Sequence, residues 1–182
     1  MENRDELQSV LGTLNDLLGS TDLKDVTSET TGFQELADGY YLSEVESAKL
    51  TVSKSSKQPM VAFQFKVVED GKDAEIDEEG NVTITEIKGT KNRKIFLYYV
   101  LKDDMSVKRF VNDMLKFEGD EEGVSLLEKE YFTRAELVED ALEVLEGRRI
   151  YIQVSTTEKN DGTKSTWQNL ISWKRAAALE LA

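Results

Sequence analysis

Cysteine and histidine are both absent from these 182 residues, and proline occurs once, as Pro59. The double absence excludes disulfides, thiol nucleophiles, imidazole acid–base catalysis and Cys- or His-ligated zinc. Carboxylates, amines, hydroxyls and rings remain, so the absence lowers the prior for an enzyme and still admits a hydrolase built on carboxylates and a metal; the expectation is a binding protein with no catalytic residue, metal or cofactor. A chain without cysteine is compatible with a reducing cytoplasm. One proline argues against long extended linkers. No run of about 18 apolar residues occurs, so no membrane span is expected. The first twenty residues lack the basic start and apolar run of a secretory signal.

What is present is charge, and it is sorted. The net formal charge is −13, from 23 Lys and Arg against 36 Asp and Glu. Three stretches that read as strand-rich, 40–67, 88–109 and 148–175, hold 17 of the 23 cations and only 6 of the 36 acids. They sum to +11 and the remainder to −24. A basic sheet inside an acidic protein suggests a groove for a polyanion.

Residues 4–18 carry Leu7, Val10, Leu11, Leu14, Leu17 and Leu18 at three- and four-residue steps, which predicts an amphipathic helix ended by Gly19 and Ser20. The stripe Leu7, Leu11, Leu14 and Leu18 is a candidate homo-oligomer contact, although such a helix more often covers its own core. Residues 1–32 are therefore assigned to a helix and linker, and 33–175 to the main domain. Within that domain Tyr40 to Ser53 reads as one long strand with a bulge, followed by a polar turn at 54–59 and a cleanly alternating strand from Met60 to Val68. An acidic insertion covers 69–90, with a turn at Asp77 to Asn81 and a short strand from Val82 to Ile87. It lacks the ligand spacing of a calcium loop. Arg93 to Leu101 is the next strand. A helical insert spans 105–146, with helices over 106–117 and 133–145; Thr133 and Glu136 form a capping-box pattern and Gly147 a stop. A hairpin, Ile150–Val154 and Ser165–Trp173, closes the domain around Asn160-Asp161-Gly162. Residues 176–182 resemble a vector-derived tail. This order predicts a mainly β, α+β protein: a five-stranded OB-fold Greek-key barrel with its helical insert between strands 3 and 4. A β-sandwich or a mixed sheet is the competing architecture.

Three segments carry a family resemblance. Asp38-Gly39-Tyr40-Tyr41-Leu42-Ser43-Glu44-Val45 looks like an opening strand, Gly89 to Phe96 like the Gly/basic/apolar lead into a third strand, and Gly147 to Val154 with Asp161-Gly162 and the run to Trp173 like a closing hairpin. Over roughly 36–174 the chain resembles phage-encoded single-stranded-DNA-binding proteins with OB-folds. The resemblance implies a protein of the infected bacterial cytoplasm that coats single strands during DNA replication or recombination, alongside replication or recombination proteins. It lacks the acidic C-terminal tail by which many such proteins recruit partners.

That function needs cations for phosphates and exposed rings for bases. The candidates are Lys54, Lys57, Lys66, Lys91, Arg93, Lys94, Phe96, Tyr98, Arg149, Tyr151, Lys159, Lys164 and Trp167. Parity puts Phe63 and Phe65 in the core with Val61 and Val67, leaving Lys66 and Gln64 outside. It puts Ile150, Ile152 and Val154 inside, leaving Arg149, Tyr151 and Gln153 outside. On the third strand either Ile95/Leu97/Tyr99 or Phe96/Tyr98/Val100 satisfies alternation; Lys94 favours Phe96 and Tyr98 outward. A strand aromatic is core more often than platform. Two rival functions stand beside this one: an acidic DNA mimic that inhibits a host nucleic-acid enzyme, and a carboxylate-metal nuclease, for which no strand-end acid pair stands out.

Overall fold

The computed structural model describes residues 11, 14–16, 18 and 35–182. The chain divides into two units, Met1–Glu35 and Leu36–Ala182. In the first, residues 11, 14–16 and 18 are helical, with Leu11, Leu14 and Leu18 exposed. Leu7, the helix end at Gly19 and the linker lie outside the described residues.

The second unit is mixed α+β, built on an open, antiparallel, seven-stranded sheet: β1 (Gly39–Val52), β2 (Pro59–Val67), β3 (Gly71–Ile76), β4 (Val82–Ile87), β5 (Lys94–Val100), β6 (Arg149–Glu158) and β7 (Lys164–Ile171). The main path runs β4-β3-β1-β2-β5, and β6 joins β1 to β7. Strand β1 pairs β2 through residues 43–52 and β6 through residues 39–44. The predicted barrel would have five strands. The structure has seven because the acidic insertion folds into the β3–β4 hairpin; the sequence of β3, Gly-Lys-Asp-Ala-Glu-Ile, alternates too poorly to announce a strand. No β5–β7 ladder forms among the described residues, so the barrel is not closed.

Helix α1 (Asp104–Met114) contributes a polar bridge from the β5 side to β7. Tyr99 on β5 donates to Asp113 Oδ2 at 2.8 Å; Lys116 donates to Asp113 Oδ1 at 2.5 Å and to the Leu170 carbonyl on β7 at 2.9 Å. Burial and the neighbouring Asp113 carboxylate push the Tyr99 phenol far above its ordinary value. Helix α1 begins with a capping box, Asp103 and Ser106 satisfying each other's backbone N–H. The capping box predicted at Thr133 and Glu136 does not form. Thr133 closes a 3-10 turn, Lys129–Phe132, and donates its hydroxyl to Glu130 O, so α2 (Ala135–Leu145) is capped one residue later at Arg134 without a side-chain bond. Gly147, at φ 80, then turns the chain into β6 in a conformation that glycine adopts without penalty.

One cluster fills the inner face: Tyr41 and Val45, Phe63 and Phe65, Ile95 and Tyr99, Ile150 and Ile152, against Phe110 and Met114 of α1 and Leu142 and Leu145 of α2. Alternation accounts for this except along β1, where the buried set changes from Tyr41, Ser43 and Val45 to Ala48. The pairing Val45↔Phe65 followed by Ser47↔Gln64 leaves Glu46 as the extra residue of a bulge, which reverses side-chain parity.

Part of the opposite face carries a second layer. Helix α3 (Trp173–Ala178), capped by Ser172, and the residues after it bury Ala176, Leu179 and Leu181 against Tyr151, with Tyr40, Leu42, Ala74 and Ile171 around them. The segment 176–182, set aside in the sequence as extraneous, is thus packed. Tyr151 Oη and Lys72 Nζ both donate to the Leu181 carbonyl, at 2.7 and 2.9 Å.

Candidate functional site

Cross-strand register assembles the site on the outer face of β6, β1, β2 and β5. Arg149 lies opposite Glu44, Glu44 opposite Lys66, and Lys66 opposite Lys94. This charged row spans four strands, about 15 Å at the usual spacing. The next row sets Ser47, Gln64 and Phe96 side by side, and the one after it Lys49, Ala62 and Tyr98. Phe96 is 48% exposed and Tyr98 56%, while their neighbours Ile95, Leu97 and Tyr99 are buried. Two residues apart on one strand, the rings stand about 7 Å apart on one face. The open choice on β5 resolves outward for Phe96 and Tyr98 because Ile95, Leu97 and Tyr99 complete the core.

Two of the cations, Arg149 and Lys94, are already engaged. Arg149 Nε meets Glu44 Oε2 at 3.1 Å, and Lys94 pairs with Glu46, which also accepts from Gln64 Nε2 at 2.8 Å. The hydrogen bond from Lys94, then that from Gln64, hold the Glu46 carboxyl below the usual range. The bulge is what directs Glu46 onto this face. It also sets Lys49 in the Tyr98 row, with Ala62 between them. Lys49 was not among the predicted site residues, and the imperfect alternation of β1 is the signal that points to it.

The other predicted residues divide into three groups. Lys54 and Lys57 occupy the β1–β2 turn, just beyond the Tyr98 end of the face; Lys57 adopts a left-handed φ of 58. Lys91 and Arg93 sit at the other end, leading into β5, with the Lys91 N–H held by the Asp70 carboxylate. Lys159, Lys164 and Trp167 belong to the β6–β7 hairpin. That hairpin runs from Arg149 along β1 away from Phe96, so the Trp167 rung, paired with Ser155, is about 20 Å along the strand from the charged row. Trp167 is 50% exposed and donates to Thr157 Oγ1.

Tyr151 corrects the sequence reading. It does point away from the main core, but it is 3% exposed because the C-terminal layer covers it, its ring edge-on to Trp173 at 5.5 Å between centroids. Burial pushes its phenol up. It cannot stack a ligand while that layer is in place. Among the described residues no group of three or more acids is arranged to hold a metal ion, and no helix is long and apolar enough to cross a membrane.

Chemically, the face offers two open rings bordered by Lys49, Lys66, Lys94 and Arg149, with amide and carboxylate groups between them. It suits an extended ligand that alternates flat rings with anions. No protein-family profile matches the chain, and no curated protein is significantly similar to it.

Proposed function

We propose that this protein binds single-stranded DNA along the outer face of β1, β2 and β5, with little sequence preference and no catalysis. The observation that carries the reading is the pair of exposed rings, Phe96 and Tyr98, beside the row Arg149–Glu44–Lys66–Lys94. Bases would stack on the rings and phosphates would follow the cations. Four ladders, β1–β2, β2–β5, β1–β6 and β6–β7, and the helices between β5 and β6 support an OB-type Greek key, in which strands 2 and 3 form the ligand face. Here those strands are β2 and β5. In keeping with the resemblance noted above, the role proposed is coating of single strands during phage DNA replication or recombination.

Anisotropy of labelled oligo-dT tests this, titrated at several salt concentrations with duplex DNA in parallel. Tryptophan quenching suits it less, because Trp167 lies away from the rings and Trp173 packs on Tyr151. Expected are single-strand preference, affinity falling with salt, and a loss of about 5- to 150-fold on Phe96→Ala or Tyr98→Ala. Absence of binding at low salt ends the proposal and leaves the acidic DNA mimic as the better reading.

A further inference from the structure

We propose that the outer edge of β4 is a docking strand for an extended, basic segment of a partner protein, which adds to the sheet beside β4. Among the described residues strand β4 ends the sheet path, and its six pairs with β3 run in unbroken register. Its sequence, Val-Thr-Ile-Thr-Glu-Ile, is strongly β-forming and carries none of the lysine, proline or bulge that usually blunts a free edge. The direction of its free groups follows from the turn. The Asp77 N–H donates to Asn81 O, so by antiparallel alternation Thr83 and Thr85 direct their backbone groups to β3, and Val82, Ile84 and Glu86 direct theirs outward. Beside that edge lies an apolar strip. Ile76 and Ile84 are 56% and 37% exposed on the face whose inner end, Ala74, is covered by the C-terminal layer. An added strand would pair with the backbone of Val82, Ile84 and Glu86 and lay its alternate side chains along this strip.

Charge selects the occupant. The segment 69–90 holds eight acids and two lysines. Two copies meeting edge to edge would bring these net negative hairpins together, whereas a segment with alternating cations and β-branched residues complements both the charge and the strip. This inference is independent of the proposed DNA face, and its test contains no nucleic acid.

The probe is a short labelled peptide of alternating Arg and Val, compared with the same peptide interrupted by proline and with a Glu–Val counterpart. Saturable binding of the first alone is expected, with slowed amide exchange at Val82, Ile84 and Glu86. Ile84→Pro removes an outward N–H and leaves the β3 ladder intact; Ile84→Thr trims only the side chain. The proline variant should bind at least about fivefold more weakly than the threonine variant. Reversing Glu75 and Glu86 to Lys should weaken binding of the basic peptide. Amide protection in the unsubstituted protein decides the matter if the proline variant misfolds. The proposal is overturned by no saturable binding, by equal binding of the proline-interrupted peptide, or by protection of Ile84 that rises with protein concentration alone, which would make a second copy the occupant.

Discussion

Truncating Tyr151 should damage stability and spare the proposed DNA face. Tyr151 is 3% exposed, meets Trp173 edge-on and donates to the Leu181 carbonyl at 2.7 Å. Large aromatic-to-alanine changes in such sites cost about 3–5 kcal/mol, from lost transfer energy plus the cavity left behind. Tyr151→Phe should cost only about 0.5–1 kcal/mol, because the Leu181 carbonyl keeps its bond from Lys72 Nζ at 2.9 Å and no buried acceptor is orphaned. With a urea slope of about 2 kcal/mol/M, the alanine variant should lower the midpoint by roughly 1.5–2.5 M and the phenylalanine variant by roughly 0.3–0.5 M. Far-UV circular dichroism reports global unfolding, and tryptophan fluorescence follows the Trp173 contact. Deleting 173–182 should reproduce the loss and expose Tyr151. The reasoning fails if Tyr151→Ala leaves the midpoint unchanged and instead weakens oligonucleotide binding, for then the ring is a free platform and the covering layer is not there in solution.

Asp113→Ala leaves the Tyr99 hydroxyl without its acceptor and the Lys116 ammonium without its carboxylate, with only the Leu170 carbonyl; because the Lys116 side chain also keeps 28% of its surface, about 2–3 kcal/mol is expected by urea titration, below the cost of breaking a fully buried pair. Gly71→Ala would place a Cβ 2.3 Å from the Tyr41 ring, whose hydroxyl is tied to Ala37 O, so a loss of about 1–3 kcal/mol should appear in the same assay. Burial raises the Tyr41 phenol to about 12 and the Tyr99 phenol further; folded values above the unfolded value mean that this stability is complete below about pH 10 and is lost as pH rises through 10–12, together with tyrosinate absorbance near 295 nm. Glu46→Gln frees Lys94 from its carboxylate partner, so oligo-dT affinity at low salt should rise by up to about fivefold; an unchanged or weaker affinity would show that Lys94 does not meet the ligand.

Strand parity was readable from the chain alone because burial acts on alternate residues: Val61, Phe63, Phe65 and Val67 inside, and Lys66 outside, follow from β2 without its neighbours. So do the bulge in β1, the stop at Gly147 and the helices between β5 and β6. Register was not readable. That Arg149 faces Glu44 and Lys66 faces Lys94 depends on pairing between segments up to 105 residues apart, and local spacing carries no trace of it. Alternation also names only the first layer that a strand meets. Tyr151 obeys its parity and is buried all the same, because the C-terminal helix returns to cover the other side of the sheet. The sequence by itself determined which side chains leave the main core; tertiary packing decided which of them reach solvent, since a second layer is recruited by long-range burial of apolar surface rather than by any local pattern.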